Sequence, residues 1–206
     1  MTARDQYEHW APTYDEDTAR LGWVAPAELI AAASAHVAPA SWQSVVDLGV
    51  GTGQASAPWR DAGARVVGVD VSQAMLEQAA RGDGRFFALV EHDLDCGLPE
   101  SVLRHGGVDL ILSCGALHFV RDLAALLRAA RAVLVPAGVV AFTYIPEQGR
   151  SFGPHTRVHA TAEVGDWLEQ AGMRVLEHRE FIAYHGDDGP VRYALAVARD
   201  AREPVA

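Results

Sequence analysis

The 206-residue chain contains no lysine. Its 17 basic positions are therefore all arginine, set against 27 acidic residues for a formal net charge of −10. An acidic chain without a basic run does not draw in phosphate backbones, so a nucleic-acid partner is disfavoured. Cysteine is nearly absent. Cys96 and Cys114 stand in unrelated contexts, with neither a CxxC pair nor metal-type spacing, which fits a reduced cytoplasmic setting rather than a disulfide scaffold. No apolar run reaches the ~18–20 residues that span a bilayer. The opening "MTARDQYEHW" lacks the apolar stretch of a secretory signal. The expectation is a soluble intracellular protein without a membrane partner, its oligomeric state open. Repeats, low-complexity linkers and composition shifts are also missing, so 1–206 reads as a single domain, a length that suits one α/β core.

What is present alternates. An Ala-rich helix is expected over Val24–His36 and a strand over Ser44–Leu48, followed by a helix from Gln54 to Ala62 and a strand "RVVGVD" at 65–70. Ser72 can cap a helix over "QAMLEQAAR". "RFFALVEHD" and "VDLILSC" read as the third and fourth strands. Asp122 precedes "LAALLRAARAVL", where Leu123, Leu126, Leu127, Ala130 and Leu134 recur at helical spacing. A fifth strand, "PAGVVAFTYI", follows a Pro-Ala-Gly turn. Apolar strands separated by helices indicate a doubly wound parallel sheet covered on both faces. The last quarter differs: after a helix over Thr161–Ala171, "MRVLEHREFIAY" and "VRYALAVAR" flank "HGDDGP", the pattern of an antiparallel hairpin.

The stretch "VVDLGVGTGQ" (45–54) ends the first strand in Asp47 and places glycines at 49, 51 and 53. In a doubly wound sheet this first turn lies where ligands bind, and the absence of side chains lets a ligand approach the backbone. A dinucleotide fingerprint fails here, because the sixth position is Gln54 counted from Gly49 and Ser56 counted from Gly51. Asp47 would moreover repel a pyrophosphate. A cationic ligand without phosphate suits it better, which argues against an NAD-type oxidoreductase. Asp70 ends the second strand 17 residues beyond Gly53, close to the ~20-residue spacing of a ribose-binding acid. Asp93, ending the third, could accept from an adenine amine, with the Leu94 N–H near a ring nitrogen. Each acid also has a plainer reading, Asp70 as a helix cap and Asp93 as a loop residue.

"VVDLGVGTGQ", "VVGVDVSQAMLEQA", "EHDLD", "DLILSCGALHFV" and "VLVPAGVVAF" together resemble the successive motifs of class I S-adenosylmethionine-dependent methyltransferases. They are most similar to small-molecule enzymes of the kind of methyltransferase-like protein 27 and TPR-associated predicted methyltransferases. The resemblance implies an α/β Rossmann-like seven-stranded sheet of order 3-2-1-4-5-7-6 with strand 7 antiparallel, and S-adenosyl-L-methionine as cofactor. It implies that 1–40 form a helical lid, 41–145 the cofactor-binding core, and 146–206 an acceptor-side loop, helix and hairpin. Asp47 and the Gly49 carbonyl would face the methionine amino group, directly or through water, while Gly51 and Gly53 make room. Asp70 would hold the ribose, Val71 and Met75 border the adenine, Asp93 and Leu94 read the base edge, and the Ser113 carbonyl lie near the sulfonium. Val50 departs from the Ala or Cys common there.

The acceptor is less legible. A sulfonium is already activated, so a general base is not obligatory; His118, four residues past Cys114, is the candidate if one exists, with a packing role as the alternative. The chain has Ser-Cys-Gly-Ala after strand four instead of the Asn/Asp-Pro-Pro-Tyr/Phe motif of adenine or glutamine methyltransferases, which points to a small-molecule acceptor. The resemblance implies that Tyr7, Trp10 and Tyr14 fold over the site, with Tyr14 near the cofactor carboxylate and Trp10 near the acceptor; plain aromatic packing is the alternative. His155 and His159 are four apart but lack a third ligand, so no metal is expected, and with Arg157 they are candidate acceptor contacts or an exposed polar loop. A cofactor-binding module without transferase activity is the non-enzymatic reading.

Overall fold

A computed structural model describes residues 2–82, 85–105, 107–149, 152–153 and 155–202. The Val- and Leu-rich segments form β1 (Ser44–Leu48), β2 (Arg65–Asp70), β3 (Ala88–Glu91), β4 (Val108–Ser113) and β5 (Leu134–Tyr144). These pair in parallel, β3 with β2, β2 with β1, β1 with β4 and β4 with β5. The hairpin strands β6 (Met173–Gly186) and β7 (Gly189–Asp200) are antiparallel to each other, and β7 lies antiparallel beside β5. The sheet order is β3-β2-β1-β4-β5-β7-β6, as the motif order implied.

Side chains alternate across the sheet, so each face has its own core. Val46, Ile111 and Phe142 pack with α7 (Leu123–Val133) and α8 (Thr161–Gln170) on one side. Val45, Leu110 and Val139 pack with Trp59 and α3 (Ala25–His36) on the other. In α7, Asp122 accepts from the Ala125 N–H at 2.8 Å, and Leu123, Leu126, Leu127 and Ala130 form the buried stripe. Burying each such leucine contributes about 1.5–3 kcal/mol, and Leu127→Ala would cost about 2–5 kcal/mol because the cavity only partly collapses. No helix among the described residues is long and apolar enough to cross a membrane.

The differences from expectation have local causes. The helix expected from Gln54 forms only as α4, Ala57–Asp61, with Pro58 in its first turn, the one helical place where proline's ring and missing N–H are tolerated. The third strand shortens to 88–91 at the sheet edge. Pro136-Ala137-Gly138 is no turn: β5 runs through it from Leu134, with Ala137 at φ 62° and a register shift between Val108 and Leu110. Besides α1 (Ala3–Trp10) and α5 (Gln73–Arg81), two helices without an apolar stripe appear, α2 (Tyr14–Arg20) and α6 (Glu100–His105).

Candidate active site

The carboxyl ends of β1 to β4 meet where the chain order reverses between β1 and β4, the usual ligand crevice of such sheets. There the glycine loop is pinned by Gly49 and Val50 N–H groups donating to the Val69 carbonyl at 2.7 and 2.9 Å. Asp70 braces it from β2: one carboxylate oxygen accepts from Gly51 N–H at 2.8 Å and the other from Ser72 N–H at 2.9 Å. Burial raises the Asp70 pKa, and the backbone donors pull it back.

The three glycines serve different ends. A Cβ on Gly49 would fall 2.1 Å from the Ala116 Cβ, so that position lets the loop after β4 close in. Gly51 has φ +54° and nothing within 4 Å of its absent side chain; its open side belongs to a cleft of about 660 Å³, within the ~300–1,000 Å³ range of ligand pockets. Gly53, expected to make room for the cofactor, has a different neighbour. It is off the cleft wall, and a Cβ there would meet the Phe86 ring at 2.8 Å.

The cleft gathers many of the residues named from sequence. Gly49, Gly51, Asp70, Val71 and Met75 line one part, with Asp93 and Leu94. Asp93 also accepts from Asp95 N–H at 2.9 Å and so caps its own turn. Tyr7 and Tyr14 cover it from the N-terminal segment, with Phe119 edge-on to Tyr7 at 5.7 Å. Burial raises the pKa of both tyrosines, keeping them neutral donors. His155 and Arg157 complete the lining from the loop after β5.

Several expected residues lie elsewhere. Asp47 is 1% exposed beneath the loop, and neither carboxylate oxygen completes a hydrogen bond. Burial pushes its pKa up to about 6 against the lowering pull of Ser56 and Arg60. Ser56 favours the charged form from nearby without closing a well-formed bond. Ser113 is buried and its hydroxyl donates to the Leu48 carbonyl at 2.7 Å; its neighbour Cys114 is the one on the cleft. Trp10 turns aside, its indole N–H donating to Asp17 at 2.9 Å. His159 stacks edge-on to Trp167 at 5.2 Å, with Glu163 3.9 Å away. His118, the candidate base, is also absent from the cleft lining. It is buried off the cleft between Phe119 and Tyr193, and burial drives its pKa down to about 3. That burial favours the packing role over that of a general base.

The sequence reading missed what fastens the N-terminal segment to the core. Glu8 accepts from the free N–H of Gln73 at 2.7 Å and of Ala74 at 3.3 Å, capping α5 from 65 residues away. Asp15 accepts from the Thr52 hydroxyl and the Gln54 amide, both at 2.7 Å, tying α2 to the glycine loop. Arg4 pairs with Glu91 at the end of β3. No periodicity signals such contacts; the clue was the acidic run of residues 14–20 facing a loop rich in free donors. Trp23 was also passed over, and packs where a Gly115 side chain would stand, 3.2 Å away. Among the described residues, no group of three or more His, Cys, Asp or Glu side chains could hold a metal ion.

Sheet order and cleft position together define a Rossmann-like α/β methyltransferase fold. The family model for the methyltransferase domain matches residues 46–142, from β1 into β5. A curated malonyl-[acyl-carrier protein] O-methyltransferase of Pseudescherichia vulneris is 36% identical over 100 residues, 48% of this chain and 38% of its own. Alignments to the curated relatives cover 37% to 58% of those proteins. A solved chain from the complex between the Haloferax volcanii Trm112 methyltransferase activator and a methyltransferase superposes at a TM-score of 0.77, with 21% identity and 100% of both chains covered. The Burkholderia thailandensis 1,6-didemethyltoxoflavin-N1-methyltransferase, solved with its substrate and S-adenosylhomocysteine, superposes at 0.70, with 18% identity over 97% of this chain and 91% of that one. The chain is thus similar to methyltransferases in sequence from β1 into β5 and in fold over nearly its whole length.

Proposed function

We propose that the chain is an S-adenosylmethionine-dependent methyltransferase acting on a small molecule by direct in-line transfer. The carrying observation is the open side of Gly51 beside the Asp70 carboxylate, a cradle that any side chain at 51 would fill. The solved relative holding S-adenosylhomocysteine supports the same cofactor here. When bound, the cofactor supplies a methyl on a positively charged sulfur, activated without further protein chemistry.

The chain's own residues then bind and orient. Asp70 takes the ribose hydroxyls, a charge-assisted contact of roughly 1.5–3 kcal/mol. Val71 and Met75 flank the adenine, and Asp93 with the Leu94 N–H reads its edge. Asp47 biases the site toward the cationic methionine end from beneath the loop, whereas Ser113, expected near the sulfonium, stays behind the cleft wall formed by Cys114. Tyr14 reaches the methionine carboxylate; with Tyr7 and Phe119 it also excludes water. Alignment alone can lower the barrier by about 7–11 kcal/mol, so no buried base is required. On this reading 1–206 work as one domain, with 1–40 as lid, 41–145 as cofactor core and 146–206 shaping the acceptor side. The motif likeness to methyltransferase-like protein 27 and its kin supports a metabolite acceptor, and the two free cysteines support a cytoplasmic setting.

Calorimetry tests this directly. S-adenosylhomocysteine should bind in the micromolar range, and Asp70→Ala should weaken it about 10- to 100-fold. No binding by the wild type, tighter binding of NAD, or an Asp70→Ala variant equal to wild type would each sink the reading.

A further inference from the structure

Three arginines line the cleft, Arg4, Arg121 and Arg157. Two are already neutralised. Arg4 pairs with Glu91, and Arg121 meets Asp95 twice, through Nε to Oδ2 and through its backbone N–H to Oδ1, each at 2.7 Å. Arg157 has no carboxylate partner among the described residues. Its Nη1 reaches only backbone carbonyls, His155 at 3.3 Å and Phe119 at 3.5 Å, both long for strong bonds. Its place is nevertheless fixed, since its backbone N–H donates to the His118 carbonyl at 2.7 Å. Of the three cleft arginines among the described residues, the half-buried Arg157 is the one left without an acid. Partial desolvation of a cation is unfavourable until an anion arrives. A guanidinium meets a carboxylate with two parallel hydrogen bonds, which fixes orientation as well as affinity.

Resting on the methyltransferase reading above, we propose that Arg157 anchors a carboxylate of the methyl acceptor. Arg157 joins the loop after β5 to the turn after β4, whereas Gly51 and Asp70, which hold the cofactor on that reading, come from the ends of β1 and β2, and Met75 from α5. A carboxylate suits the site better than a phosphate, because Asp5, Asp93 and Asp95 line the same cleft and would repel a dianion more strongly.

The test uses the full chain loaded with S-adenosylhomocysteine, titrated by ligand-observed NMR with matched acid and amide pairs: benzoate and benzamide, 3-hydroxybenzoate and its amide, succinamate and succinamide. The acids should bind at least tenfold tighter than their amides. Arg157→Gln should erase that preference while the affinity for S-adenosylhomocysteine stays within about threefold, which also reports that the variant is folded. Arg157→Lys should keep part of the preference. Acids and amides binding alike, or neither binding, overturns the proposal, as does a preference that survives Arg157→Gln. A tenfold loss of S-adenosylhomocysteine affinity in that variant would assign the guanidinium to the cofactor's own carboxylate and overturn it too. Failure of the wild type to bind S-adenosylhomocysteine instead overturns the methyltransferase reading itself.

Discussion

Replacing Asp47 with asparagine should change the pH dependence of stability in a way that isolates one buried charge. The carboxylate lies next to the end of β1 at 1% exposure without a completed hydrogen bond, and burial raises its pKa from 3.8 to about 6. The folded pKa therefore exceeds the unfolded one. The associated stability is complete below the unfolded value and is lost as pH climbs through the folded value. A shift of about two units corresponds to roughly 3 kcal/mol in total, of which about 2 kcal/mol falls between pH 4.5 and 7.5. The experiment is urea unfolding of wild type and Asp47→Asn across that interval. Whatever the amide costs by its own packing is constant with pH and drops out of the trend. The wild type should lose about 2 kcal/mol relative to the variant as pH rises, or about 4–8 °C in melting temperature for a domain this size. If the ammonium of S-adenosylhomocysteine feels this charge, its affinity for the wild type should rise from pH 5 to 7, and binding near pH 6 should release protons. A difference between the two proteins that stays flat within 0.5 kcal/mol would refute the reasoning, since it would mean that Asp47 is solvated or paired.

Three other outcomes follow from the geometry. Gly49→Ala should lose about 2–4 kcal/mol in denaturant unfolding, because its Cβ would sit 2.1 Å from that of Ala116 at φ +69°; Ala116→Gly should recover part of the loss. Asp15→Ala removes both bonds from α2 to the glycine loop at a stability cost below about 1 kcal/mol, yet stopped-flow release of S-adenosylhomocysteine should quicken several-fold and N-terminal proteolysis should speed up. His118→Ala should lower the melting temperature but leave the shape of the pH–rate profile from pH 6 to 9 unchanged, because a ring with a pKa near 3 is neutral throughout that range; loss of an inflection near 6.5 would restore it as a base.

The order of the sheet was readable because strands carry their own signal. Residues 44–48 and 65–70 are valine-rich runs with an acid at or next to their ends, and they form strands with those same limits. Asp70, Val71 and Met75 follow from that register, since the end of a strand in such a sheet has only one edge to occupy. What failed was direction. Sequence says that Gly53 and His118 adjoin the site, but whether a side chain enters the cleft or the core depends on neighbours such as Phe86 and Tyr193, which arrive from distant segments. α2 was missed for a related reason: "YDEDTAR" has no apolar stripe, and its helix is held by an acidic first turn and by Arg20 pairing with Glu16 and Asp17. The grip of Glu8 on α5 joins residues 65 apart and has no local pattern at all.

The placement of β7 between β5 and β6 governs how the chain must mature. A chain emerging from the ribosome can lay down β1 to β5 in order, but the edge of β5 then stands bare, with Val139 to Tyr144 buried only once their antiparallel partners Ala194 to Arg199 arrive. Until the last strand is made, a row of unpaired peptide groups and apolar side chains offers itself to any passing strand. Residues 191–200 are thus the closing piece of the sheet, pairing with β5 on one side and β6 on the other.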